Sequence, residues 1–456
     1  MRVTFTIKIQ GVNKMKKIYK PSIVYYEDNF QEEKGVLEEN GEILEVTSFE
    51  ELLSKYKDAE VVEWNENIMV PGTTNIHNHS FQSLLRGIAA DKPFLEWRDK
   101  SLYAFSPKLS AEDLYTGAVF AFGEMLKYGV TSVSDFFYVH NDGVESDEAI
   151  IKAAKDVGIR LVLARTMYDW DGAPKGYVET IDEAVKNVKN LAVKYQGNDM
   201  VKIVPAPHSL HAASVDMVKA GHKLAKELGT NYHIHIAEEP FEVEQVQKEF
   251  GLRPVELLNK IGVLDKSMVG IHCVWLNDTE IKLMGDNKAK LAYCPSSNMF
   301  LADGVTDIPA MMKAGVEIGF GSDGACSNNR ISIFEEMRMC ALLQKVTKLD
   351  SLCVNYKDVF SMGTEIGGKI LQLPVGKIEK GYKADFVGIN KNDMSMQPIF
   401  NSGEQIMPNI VYSMQPCAID HVVVDGKERV RKGEILTVSE SKIVKDVQKL
   451  MSKLEK

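Results

Sequence analysis

The 456 residues hold six cysteines with no CxxC pair among them, no apolar run long enough for a signal segment or a membrane span, and no low-complexity tract. Each absence removes a class. Scattered thiols at Cys273, Cys294, Cys326, Cys340, Cys353 and Cys417 exclude a disulfide or zinc-finger framework and suit a reducing compartment, so a cytoplasmic location is expected. Without a long apolar segment there is no candidate secretory h-region or transmembrane helix. Positive charge is in deficit, with 54 Lys and Arg against 64 Asp and Glu and a net charge of -10. That balance speaks against nucleic acid or an anionic membrane as partner and leaves a small molecule. Met1 and Met15 are both candidate starts.

What is present is a regular alternation. From about residue 70, short β-branched runs alternate with longer stretches of helical period, the pattern of parallel strands joined by crossover helices. The candidate strands number eight: "TTNIHNH", "TSVSDFF", "IRLVLART", "VKIVPAPH", "YHIHIAE", "MVGIHCV", "AKLAYCP" and "VEIGFGSD". Helical stretches such as "AEDLYTGAVFAFGEMLKYG" and "SVDMVKAGHKLAKELG" lie between them and end at glycine, the usual residue just past a helix. Eight such units in roughly 300 residues predict an α/β TIM barrel over 71–377 rather than an open doubly wound sheet. Strand-like pieces with glycine turns in 16–70 and 378–436 predict a small composite β domain built from both chain ends, and 437–456 reads as a lysine-rich surface helix.

Histidine is scarce, at 10 residues, yet it gathers at the predicted strand ends. His77 and His79 close the first strand, His208 the fourth, His235 the fifth and His272 the sixth, with Asp323 ending the eighth. In such a barrel the C-terminal face is where catalytic groups converge, and period-two spacing puts His77 and His79 on one strand face, where both can bind one ion. A lone buried histidine is more often a packed core residue, the reading for His222 and His421. The convergence of six ionisable groups favours a metal site instead. In "YHIHIAEE", His235 is preferred to His233 because Glu238 follows it just past the strand, within reach of a reacting water. "GFGSDG" at 319–324 matches GxGxxG and raises a dinucleotide-dependent oxidoreductase as an alternative. It stands at the eighth strand rather than the first, however, and carries Asp323 where pyrophosphate would sit.

The ordered set "VPGTTNIHNH", "HIHIAEE", "GIHCVWLND", "YCPSSNMFLADG", "GFGSDG", "GKIEKGYKADFV" and "VVVDGKERVRKGEI" resembles the amidohydrolase superfamily, in its branch of metal-dependent aminohydrolases. The resemblance implies a distorted (β/α)8 barrel with a small β-sandwich domain, one divalent metal, zinc first and iron second, and a hydrolase that releases ammonia. It implies His77, His79, His235 and Asp323 as metal ligands, with Glu238, His272 and Asp323 catalytic around the metal-bound water. His208 stands where binuclear relatives carry a bridging lysine, which favours a single ion. Homo-oligomers are usual in the group. Two substrate classes compete. "YCPSSNMFLADG" and "DGACSNNRISIFEEMRMCALLQK" resemble deaminases and chlorohydrolases of adenosine derivatives, guanine-type bases and triazines. "HNHSFQSLLRG", "FLEWRD" and "PHSLHAAS" resemble formimidoylglutamate deiminases, and there Gln82, Arg98 and Tyr138 match substrate contacts. His211 replaces the arginine that the deiminases use for the substrate carboxylate, and His208 is expected as a substrate-side donor. The expected activity is deamination of an aminated heterocycle or amidine, with formimidoylglutamate-type deimination second and removal of a group other than ammonia third.

Overall fold

The computed structural model describes residues 16–400 and 402–454; both candidate starts, Met1 and Met15, lie outside the described residues. The eight expected strands form: β1 (Thr73–Asn78), β2 (Val130–Phe137), β3 (Arg160–Met167), β4 (Val201–Pro207), β5 (Tyr232–Ile236), β6 (Met268–His272), β7 (Lys290–Tyr293) and β8 (Glu317–Phe320). Every residue of β1, β2, β3 and β5 is buried, as parallel strands covered on both faces require. The intervening helices start where their sequences cap them. Ser110 and Asp113 make a capping box before Ala111–Lys127, Thr180 and Glu183 make another before Ile181–Lys194, and Val215–Leu228 ends at Gly229 with φ 66°.

The barrel is distorted in a particular way. Its strands bond as two parallel arcs, β1 to β4 and β5 to β8. Between β4 and β5 the ladder shrinks to one bridge, Ser209 with His235, where the His235 N–H donates to the His208 carbonyl over 2.9 Å. At the other seam the Asp323 N–H donates to the His77 carbonyl over 3.1 Å. Both seams therefore fall at residues singled out above for chemistry.

A nine-stranded sheet from both chain ends flanks the barrel. Its central strand, Glu60–Pro71, pairs in parallel with Lys17–Tyr26 and antiparallel with Phe386–Asn390. The sheet curls over a core in which Tyr19 meets Trp64 and Phe386 edge-on, with ring centroids 5.5 and 5.3 Å apart. The curl is tight enough that Lys17, on one side of the sheet, donates to the Gly426 carbonyl on the other. The central strand runs straight into β1 through Gly72, where a Cβ would come within 2.2 Å of Thr131 Oγ1. Only glycine permits that approach, so the sheet delivers β1 to the barrel in a set register. Arg160 at the start of β3 holds buried Asp385 through two hydrogen bonds, tying barrel to sheet. The last helix, Glu440–Leu454, buries Ile443, Leu450 and Leu454, and its Lys453 pairs with Asp113 of the first barrel helix. No described helix is long and apolar enough to cross a membrane.

Candidate active site

At the C-terminal mouth of the barrel the structure brings together two triads, His77, His79 and His235, and Glu238, His272 and Asp323, each with candidate ligand atoms within 4.8 Å of one another. The backbone turns sharply to do this. Ala237 after β5, His272 at the end of β6 with Cys273 just beyond it, and Asp323 after β8 all adopt left-handed conformations, with φ of 48°, 64°, 52° and 57°. None is glycine, so each costs of order 1–3 kcal/mol and persists because the surrounding packing enforces it.

Hydrogen bonds orient each donor. His79 Nδ1 lies 2.6 Å from the Phe136 carbonyl and His235 Nδ1 2.9 Å from the His208 carbonyl, so both rings donate through Nδ1 and keep the Nε2 lone pair free. Asp323 uses Oδ2 to accept from Ser297 Oγ and Ser327 Oγ, at 2.6 and 2.9 Å. Its Oδ1 is left 3.5 Å from His77 Nε2 and 3.3 Å from His79 Nε2. His77 is fully buried, and neither ring nitrogen has a hydrogen-bond partner among the described residues. Burial pushes it down to about 3 and also lowers His79 and His235, so these imidazoles favour the neutral form that binds a cation. Three imidazole nitrogens and one carboxylate oxygen, converging and buried, fit a tetrahedral divalent ion such as zinc.

The two carboxylates behave oppositely. Burial, reinforced by Asp303 and Asp323, holds Glu238 well above the usual carboxyl range. Burial also raises Asp323, but its contact with His77 and the nearby His79 outweigh that and hold it well below. His272 Nε2 lies 3.3 Å from Glu238 Oε1.

A cavity of about 60 Å³ opens on this cluster and is lined by Gln82, Arg98, Tyr138, His208 and His211 beside the catalytic candidates. Gln82 Nε2 donates to Tyr138 Oη over 2.9 Å. Arg98 stands at the rim, paired with Asp99 and stacked 4.6 Å over Tyr103. His211 Nδ1 is 3.4 Å from Glu242. Larger hollows of about 500 and 760 Å³ lie at the opposite end, among the strand starts and away from the histidines.

Several other residues fall into place. His233 is buried deeper in β5, outside both triads and outside the cavity wall. His222 bonds Asp265, and His421 bonds Glu428 and stacks on Trp64, so both are satisfied structural side chains. The glycines of "GFGSDG" serve close packing: a Cβ on Gly321 would meet His77, and one on Gly324 would come within 1.7 Å of Gln82. The next helix begins only at Ile333, leaving no helix N-terminus there to receive pyrophosphate. Sequence reasoning missed the clamp around the histidines. Asn75 ties β1 to Ser322, and Asp135 on β2 accepts from Asn78 and from Ser80. The signal lay in "TNIHNHS" itself, whose polar residues interleave with the histidines.

The profile described as Amidohydrolase family matches residues 68–429. The chain belongs to the amidohydrolase family. Among relatives of this amidohydrolase, a 5'-deoxyadenosine deaminase of Methanopyrus kandleri is 32% identical over 419 residues, covering 91% of this chain and 94% of the relative. A 5-methylthioadenosine/S-adenosylhomocysteine deaminase of Aquifex aeolicus is 31% identical over 388 residues, covering 85% and 87%. The fold matches the crystal structure of an adenosine deaminase from Xanthomonas campestris with bound zinc, at TM-score 0.90 and 22% identity over 97% of this chain and 99% of that one. It also matches a zinc-bound atrazine chlorohydrolase from Arthrobacter aurescens, at TM-score 0.86 and 20% identity over 95% and 100%.

Proposed function

We propose that this amidohydrolase deaminates an adenosine-type compound, replacing an exocyclic amine with oxygen and releasing ammonia. The observation that carries the reading is the pairing of Glu238 and Asp323 across one buried cavity: a carboxyl whose neutral form is favoured faces one whose ionised form is favoured. The names of the relatives more than 30% identical support the substrate class.

His77, His79, His235 and Asp323 would hold a single divalent metal, zinc first and iron second. When bound, that ion supplies Lewis acidity that brings a water's pKa toward neutrality. Asp323 accepts the proton of the attacking water, and His272 orients it. Glu238 gives its proton to the ring nitrogen as oxygen adds to the adjacent amidine carbon. The proton taken by Asp323 then passes to the exocyclic amine, the carbon–nitrogen bond breaks, and the new hydroxyl returns its proton to Glu238 as it becomes a carbonyl, so one water enters for each ammonia that leaves. His208 and Tyr138 line the substrate side. The partner is a small molecule, and a cytoplasmic location fits six free thiols.

A second reading, deimination of a formimino amino acid, is favoured by the hydrogen-bonded Gln82 and Tyr138 with Arg98 at the rim. Ammonia release assayed across 5'-deoxyadenosine, methylthioadenosine, S-adenosylhomocysteine, guanine, triazines and formimino amino acids tests both. Turnover confined to formimino substrates sinks the first reading. Glu238→Gln should keep its metal while kcat falls about 10²- to 10⁴-fold, the usual contribution of a positioned acid; an undiminished rate removes Glu238 from the mechanism.

A further inference from the structure

Asn298 stands on the short helix Pro295–Phe300 that follows β7, and it is 1% exposed. Its Nδ2 lies 3.0 Å from His272 Nδ1 and 3.0 Å from Asp303 Oδ2. An amide nitrogen has two hydrogens and no lone pair to offer. With one N–H given to the carboxylate oxygen, the other points at Nδ1, which must be the acceptor. Reversing the amide would set its oxygen against that of Asp303. Oδ2 of Asp303 accepts the first of the two amide hydrogens. The frame around the contact is firm. The Asp303 N–H donates to the Asn298 carbonyl over 2.9 Å, and Thr306 Oγ1 donates to the His272 carbonyl over 2.8 Å.

We propose that Asn298 is a positioning residue that fixes His272 as the neutral Nε2–H tautomer. Its Nε2, 3.3 Å from Glu238 Oε1, is then a hydrogen-bond donor with no lone pair. His272 can neither ligate an ion nor accept the proton of water. It orients the attacking oxygen by donating to it, and proton acceptance falls to Asp323. The tautomer also sorts a crowded cluster, in which His272 stacks 5.5 Å from His235 yet stays out of the ligand set.

The test is a long-range 15N spectrum of histidine-labelled, zinc-loaded full-length protein, with His272 assigned by the signals lost in His272→Asn. The Nε2–H pattern is expected; Nδ1–H or an imidazolium at neutral pH overturns the proposal. Asn298→Asp turns the donor into an acceptor. It should move the proton to Nδ1 and lower kcat roughly 10- to 100-fold, with KM and zinc content unchanged. Full kcat with the wild-type tautomer, or loss of zinc, overturns the assignment. If that variant does not fold, the wild-type spectrum decides alone. The spectrum is independent of which substrate is turned over, so this assignment and the deaminase reading can fail separately.

Discussion

His77 shows how much one side chain can say. A fully buried imidazole whose two nitrogens have no hydrogen-bond partner among the described residues carries a desolvation cost of about 1–3 kcal/mol per polar group, and coordination of the proposed ion through Nε2 would offset part of it. Two outcomes are expected. His77→Ala should lose zinc, by elemental analysis, together with activity. A chelator should lower the Tm of the wild-type protein but leave that of His77→Ala unmoved, since only an ion bound by the folded state adds stability. A variant that retains full zinc would remove His77 from the ligand set. His222 and His421, by contrast, find partners in Asp265 and in Glu428 and Trp64. One sequence signal separates them from His77: they stand on a helix and a flanking strand, away from the barrel-strand ends.

Among the elements, the strand ends do the most for function, and they also mark where sequence reading stops. The eight barrel strands were legible because short β-branched runs recur between stretches of helical period, and their helices because of their caps. The left-handed turns at Ala237, His272 and Asp323 were not, because no glycine or asparagine announces them; tertiary packing imposes them. The Asn298 contact was equally hidden, since its partners His272 and Asp303 meet it through loop geometry rather than through any repeat. Relief of one turn is predicted to separate stability from activity. Ala237→Gly should gain up to about 1 kcal/mol from released strain, read as a small rise in Tm, while kcat falls because Glu238 is held less firmly. A variant both more stable and equally active would mean that the turn has no role in placing Glu238.

The molecule as a whole depends on a seam far from the chemistry. Arg160 and Asp385 are both buried, and Asp385 also accepts from the Asp425 backbone N–H at 2.8 Å. Removing the carboxylate leaves the buried guanidinium with only Asp425 at 3.7 Å and the Asp199 carbonyl, so Asp385→Ala should cost about 3 kcal/mol of stability in chemical denaturation. A loss under 1 kcal/mol would show that the contact is dispensable. The same sheet has a consequence in time. Its central strand, Glu60–Pro71, takes one neighbour from the first residues of the chain and the other, Phe386–Asn390, from about 300 residues later. A ribosome moving at about 5–20 residues per second leaves that edge open for roughly 15–60 s in every round of synthesis. During that interval a bare strand edge, itself a template for pairing with other chains, waits for its partner to be made.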